Sequence, residues 1–163
     1  MEAQDFKEVM ARWATGISVI TTAQDDIWYG FTANSFASVS IDPYLISMSV
    51  AKSLYTLQVI ENTGIFAVNI LRKEHVHLGM RFAGMIPEYD EKRFEGLNAT
   101  LSVNGCPLLP DVLGWMDCKV YKSIDVGSSV LFLGEVTGAY WSAIGDPLVY
   151  WNRHWGEFKA QEM

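Results

Sequence analysis

From residue 17 onward the chain is a succession of short runs suited to an extended backbone, each closed by residues suited to a turn. Ile17-Ser18-Val19-Ile20-Thr21-Thr22 is rich in β-branched side chains, which fit the pleated surface of a sheet. Asp25-Asp26 predicts a turn, and 28–33 returns as the second arm of a hairpin. After Asp42-Pro43 a strand is expected at 44–51, and a strongly apolar one at 65–71. The C-terminal half repeats the pattern at 99–103, 115–124, 130–141 and 148–151, with turns at Asn104-Gly105, 125–128 and Gly145-Asp146-Pro147. Helical spacing is confined to three places. Phe6, Val9, Met10 and Trp13 form an i, i+3, i+4, i+7 stripe with Asp5 placed as an N-cap. Residues 53–60 set Leu54, Leu57 and Ile60 on one face and stop at Asn62-Thr63-Gly64. Residues 73–82 turn His77 or Leu78 inward with Phe82, and 84–97, with Pro87, Gly96 and mixed charge, reads as an irregular loop. Many short strands and few helices restrict the chain to a mainly β fold, a small barrel decorated by helices.

Composition narrows the function. At 163 residues, half of them apolar, the chain is expected to be one domain, 1–163, with a sizeable core. Twelve basic residues against 19 acidic give a net charge of −7, which repels phosphate backbones. No nucleic-acid partner is expected, although one local basic pocket for a small anion remains compatible. Cys106 and Cys118 form neither a CxxC pair nor a disulfide framework, and the opening Met1-Glu2-Ala3-Gln4-Asp5 is acidic. No uncharged apolar run approaches the roughly 20 residues of a membrane span. The expected setting is therefore the cytoplasm, away from membranes. The chain lacks a G-x-G-x-x-G fingerprint, a G-x-x-x-x-G-K-[ST] phosphate loop and a G-x-S-x-G elbow. His75 and His77 are two apart, so a helix would point them in different directions, and no metal is expected.

Two segments carry chemistry. Gly30-Phe31-Thr32-Ala33-Asn34-Ser35-Phe36 puts small and hydroxyl-bearing residues at a strand end, where a flat ligand can approach the backbone closely. Thr32, Asn34 and Ser35 can donate and accept hydrogen bonds there without bulk. Ser49-Val50-Ala51-Lys52-Ser53 runs from a strand into a helix start. Free amide hydrogens at that start, Ser53 as cap and the Lys52 ammonium would together hold an anion. Read from composition alone, the same residues also fit a polar turn and an ordinary capped helix.

The chain resembles the flavin reductase-like family, FMN-binding split barrels found as reductase partners of two-component flavin monooxygenases. The likeness runs through Ala11-Arg12-Trp13-Ala14-Thr15-Gly16, 30–36, Val50-Ala51-Lys52-Ser53 and Phe66-Ala67-Val68-Asn69. It continues through Arg93-Phe94-Glu95-Gly96, Cys106-Pro107-Leu108-Leu109, Leu133-Gly134-Glu135-Val136 and Pro147-Leu148-Val149-Tyr150. The resemblance implies a split β-barrel in which Thr32, Ala33, Asn34 and Ser35 line the flavin ring and ribityl chain. It implies that Ser49, Val50, Ala51, Lys52 and Ser53 reach the phosphate, and that Arg93 can brace the flavin side of the barrel. A homodimer with flavin near the subunit interface is implied as well.

One stretch departs from the pattern. Where such reductases commonly carry Gly-Asp-His, this chain has Gly127-Ser128-Ser129, and serine can neither stack nor carry charge as imidazole does. Ser128 and Ser129 stand at the expected nicotinamide site, with His154 as a substitute and Arg153 as a contact for a pyrophosphate. The reaction implied is hydride transfer from NADH or NADPH to FMN or FAD, supplying reduced flavin to an oxygenase. The alternative is an FMN-binding electron-transfer flavoprotein without nicotinamide turnover.

Overall fold

The computed structural model describes residues 1–161. Helix α1 (Ala3–Ala11) leads into the short β1 (Thr15–Gly16), then into the hairpin β2 (Ser18–Gln24) and β3 (Ile27–Ala33). The hairpin turns at Asp25 and Asp26, both at positive φ (52° and 63°), a conformation Asp tolerates better than most residues. After β4 (Ala37–Ile41) and β5 (Tyr44–Ala51) comes α2 (Tyr55–Thr63), closed by Gly64 at φ 68°. Then follow β6 (Ile65–Ile70), a 3₁₀ turn at Lys73–His75 and α3 (Val76–Phe82). The remainder is β7 (Thr100–Leu101), β8 (Pro107–Leu108), β9 (Gly114–Val126), β10 (Ser129–Trp141), β11 (Leu148–Trp151) and β12 (His154–Glu157).

Seven strands pair antiparallel in the order β3-β2-β6-β9-β10-β5-β4. The two edges, β3 and β4, are consecutive in sequence and joined only by residues 34–36. A flat sheet of seven strands would hold its edges about 29 Å apart, at about 4.8 Å per step. The four Cα steps from Ala33 to Ala37 reach about 14 Å at most. The sheet must therefore curl until its edges nearly meet, which produces the expected split barrel. Ile20, Phe31, Met48, Phe66 and Phe132, from five strands, and Leu57 and Ile60 of α2 share one buried cluster inside it. A second cluster, with Ile17, Val19, Leu71, Phe82 and Leu148, packs outside. Because β2 is covered on both sides, Ser18 to Thr22 are all buried, where a half-buried strand would alternate.

The sequence reading needs several corrections. Asp5 lies inside the first turn of α1 and Glu2 occupies the cap position; no residue of α1 is buried, and Trp13 is 70% exposed. Helix α2 starts at Tyr55, so Leu54, and not Ser53, is its N-cap. The strand at 99–103 shrinks to two residues, and β4, β8 and β12 were not anticipated. The 84–97 segment is irregular as expected, apart from a 3₁₀ turn at Pro87–Tyr89. It is held by Arg81, 5% exposed, whose Nη2 donates to the carbonyls of Lys92 (3.0 Å) and Glu95 (2.6 Å). Among the described residues no helix is long and apolar enough to cross a membrane. His77 is exposed while His75 is half-buried, its Nδ1 accepting the Arg72 amide at 3.4 Å.

Candidate functional site

The seam between β3 and β4 exposes backbone that a closed barrel would hide, and the 34–36 loop crosses it. Asn34 and Ser35 are exposed there, while Ala33 beneath them is buried, its carbonyl accepting from Ser18 Oγ at 3.0 Å. Asn34 Nδ2 donates to Thr15 Oγ1 at 3.2 Å, and Ser35 Oγ donates to the Ser49 carbonyl at 3.0 Å. The two segments singled out in the sequence thus meet directly. Thr32 behaves differently: it is half-buried, and its hydroxyl donates to the Gly79 carbonyl at 2.6 Å. Its proton is engaged within the protein, so only its lone pairs can serve a ligand. A cavity of about 160 Å³ opens beside Thr32, Ala33 and Asn34, walled by Met85, Tyr150 and Trp155.

The second half of the site is the β5–α2 connection. Val50 is buried in the barrel core, whereas Ala51, Lys52 and Ser53 are exposed. No side chain caps α2; the Leu57 amide donates to the Leu54 carbonyl at 3.1 Å, which leaves the Tyr55 and Thr56 amides with capacity for an anion. Ser53 and Thr56 line a cavity of about 360 Å³ together with Tyr29, Gly30, Tyr55 and Arg93. Arg93 Nη1 donates to the carbonyls of Gly30 (3.1 Å) and Phe82 (3.2 Å), bracing β3 against the end of α3. Tyr29, Tyr55 and Thr56 were not singled out from the sequence. A hydroxyl three residues after Ser53, at a helix start, was the available signal.

Lys52 is not free. Its Nζ lies 2.6 Å from Asp125 Oδ2, and its amide donates to the Ser128 carbonyl at 3.0 Å. The β9–β10 turn therefore sits against the β5–α2 connection, with Ser129 opposite both Ala51 and Val126. Ser128 is exposed and Ser129 half-buried. Arg153 and His154 lie apart from these serines, in the β11–β12 hairpin. Arg153 Nη2 donates to Glu8 Oε1 at 2.9 Å, and this pairing, with Arg12, holds the Glu8 carboxyl down at about 2. His154 Nδ1 is 2.6 Å from the Asn152 carbonyl. Arg153 and Asn34 border one cavity of about 310 Å³, beside Trp13 and Tyr150. The four residues expected at a nicotinamide site are thus not brought together: Ser128 and Ser129 lie beside Lys52, Arg153 shares a cavity with Asn34, and His154 pairs with Trp151 in the β11–β12 hairpin.

Comparison with known proteins fits this geometry. The "NADH-dependent flavin reductase" of Rhodococcus sp is 32% identical over 160 residues, covering 96% of this chain and 85% of its own. The solved structure "Flavin reductase PheA2 in native state" superposes with a TM-score of 0.89 at 32% identity, covering 98% of this chain and 100% of its own. The reductase component of the flavin-dependent trigonelline monooxygenase of Acinetobacter baylyi is 34% identical over 146 residues, 87% of this chain. The chain spans only 46% of that relative's length, and 41% of a probable flavin reductase of Rhizobium meliloti. The family model described as "Flavin reductase like domain" matches residues 10–159, nearly the whole barrel, and the chain belongs to that family.

Proposed function

We propose that this chain is an NAD(P)H:flavin oxidoreductase that moves hydride from NADH or NADPH to FMN or FAD and passes the reduced flavin to a partner monooxygenase. The observation that carries the reading is the bond from Ser35 Oγ to the Ser49 carbonyl. It fixes the seam loop, suited to a flat ring, against the strand that feeds the uncapped α2 turn, suited to a phosphate. One ligand with a planar end and an anionic end fits both. The NADH-dependent relative supports the donor, and the relative named as a monooxygenase reductase component supports the partner.

When bound, flavin supplies the hydride-accepting chemistry, and the protein supplies position and electrostatics. Asn34 and Ser35 would orient the ring from the seam, with Ala33 and the Thr32 hydroxyl oxygen lining the same site. Ser49 to Ala51 would form the floor leading to the phosphate, which Lys52, Ser53 and the Tyr55 and Thr56 amides would hold. Ser128 and Ser129 border that turn on the side open to a nicotinamide nucleotide. Arg153 would offer a cation beside Asn34 once it leaves Glu8, and His154 an imidazole on the same β11–β12 hairpin. No side chain need move a proton for the hydride step, which suits a site without a catalytic acid or base.

We assign the chain to a homodimer in the cytoplasm. Support for the dimer is the trough of about 490 Å³ between β4, β5 and β10, bordered by the exposed Ile41 and Tyr44. An exposed apolar surface of this kind suits a subunit contact. The function is tested anaerobically, by mixing FMN-loaded protein with NADH and separately with NADPH. Rapid bleaching of the flavin by either nucleotide is expected and identifies the donor. Flavin that stays oxidised with both, yet bleaches with dithionite, would refute the reductase and leave the electron carrier.

A further inference from the structure

The feature the proposed function does not use is the carboxylate on Lys52. We propose that Asp125 sets how tightly the flavin phosphate is held, by competing with it for the Lys52 ammonium and keeping the flavin exchangeable. This rests on the reading that the β5–α2 turn receives the phosphate.

The pair is 2.6 Å long, and its side chains are 41% (Lys52) and 73% (Asp125) exposed. Ion pairs this open to water add little to folding stability, so structural need does not explain it. Nor does Asp125 depend on Lys52 for its place. Backbone pairing holds it: Asp125 faces Val130, Ser129 faces Ala51, and the Lys52 amide donates to the Ser128 carbonyl. The β9–β10 turn thus keeps a negative charge beside the anion turn whether or not the ammonium is attached to it. An arriving phosphate must draw Lys52 away, and then lies a few ångströms from a carboxylate that repels it. Lysine is a compact point charge that one close carboxylate largely neutralises. A reductase that hands flavin to another protein needs release as well as capture, and this arrangement weakens the grip at the phosphate alone.

The test uses flavin-fluorescence titration of the whole protein with FMN and with riboflavin, which lacks the phosphate. The variants are Asp125→Asn, Lys52→Ala and the two combined. Asp125→Asn is expected to tighten FMN about five- to tenfold, the range for one partly exposed charge, and to leave riboflavin unchanged. FMN release measured by stopped flow should slow by a similar factor. In the Lys52→Ala background the gain should fall to about twofold or less, because residues that share a partner are not additive. In about 1 M salt, where the screening length is near 3 Å, the gain should shrink as well. Unchanged or weaker FMN binding in Asp125→Asn, or equal tightening of riboflavin, overturns the competition while leaving the flavin site intact. Equal weakening of FMN and riboflavin by Lys52→Ala overturns the phosphate assignment itself, and the competition with it.

Discussion

Replacing Asn69 with alanine should cost about 3 kcal/mol of folding stability, and the structure fixes where that loss arises. Asn69 is fully buried on β6. Its Nδ2 donates to the Val19 carbonyl and to Thr21 Oγ1, each at 3.1 Å, and its Oδ1 accepts the Leu109 amide at 2.9 Å. One side chain thereby ties β6 to β2 and to the segment after β8. At about 0.5–1.5 kcal/mol net each, three bonds amount to roughly 1.5–4.5 kcal/mol. They are unequal. Thr21 Oγ1 keeps its own donation to the Pro107 carbonyl, so it loses little. Leu109, 3% exposed, is left with a buried amide hydrogen that water cannot reach, and such an orphan costs about 1–3 kcal/mol by itself. The sum settles near the middle of the range. Asn69→Asp sharpens the test: it keeps an acceptor for Leu109 but sets a carboxylate against the Val19 carbonyl, so it should be no better than alanine. Urea unfolding at neutral pH checks both, with an unchanged slope showing that the unfolded reference is the same. A loss below about 1 kcal/mol for Asn69→Ala would mean that the site relaxes or admits water, and would refute the reasoning.

Two further outcomes follow from the interior. Gly134 on β10 faces the Phe66 ring so closely that an added methyl would overlap it, with the Cys118 Cβ behind. Gly134→Ala should therefore destabilise by about 1–3 kcal/mol in the same assay, and a Phe66→Leu background should relieve part of that loss. Burial, with Asp117 nearby, pushes both the Cys106 and Cys118 thiols up to about 12. Raised pKa values mean that their contribution is full below the ordinary value near 9 and is lost as pH rises from there toward 12. Stability measured by urea should thus fall between pH 9 and pH 11, less steeply in Cys118→Ala, and both thiols should resist alkylation at pH 8 until the chain unfolds.

What could be read in the sequence follows from where each element's partners lie. β2, β3, β5 and β6 were legible because their burial leaves β-branched or apolar runs, and because Asp25-Asp26 marks the β2–β3 turn and Asn62-Thr63-Gly64 the turn from α2 into β6 by local backbone need. β4 was missed although Ala37, Val39 and Ile41 alternate with Ser38 and Ser40: the run is short, and its apolar face is exposed (Val39 49%, Ile41 80%) rather than packed on the core. Val103 lies fully in solvent, which is why the strand expected at 99–103 survives only as Thr100–Leu101. The stripe on α1 is a real helical period with no core beneath it. Helix α1 is tied down by polar contacts, the Asn152 amide on the Ala11 carbonyl (2.7 Å) and Arg153 on Glu8.

The site divides along the same line. Small polar residues at 32–35 and a lysine at a helix start can be located from the chain alone, because such groups are costly to bury and so mark the surface. What each polar atom touches cannot be located that way, because the partner arrives from a distant strand. Thr32 meets Gly79, Arg153 meets Glu8, and Lys52 meets Asp125 across 73 positions of sequence. The last pairing is set by the two-residue turn Gly127-Ser128, with Gly127 at φ 68°, which fixes Val126 against Ser129. Because side chains alternate along a strand, a slip of one residue at that turn would send Asp125 to the other face of β9 and release Lys52. Whether Lys52 is free or paired is thus a property of β-hairpin register, and local sequence chemistry cannot disclose it until the strands are paired.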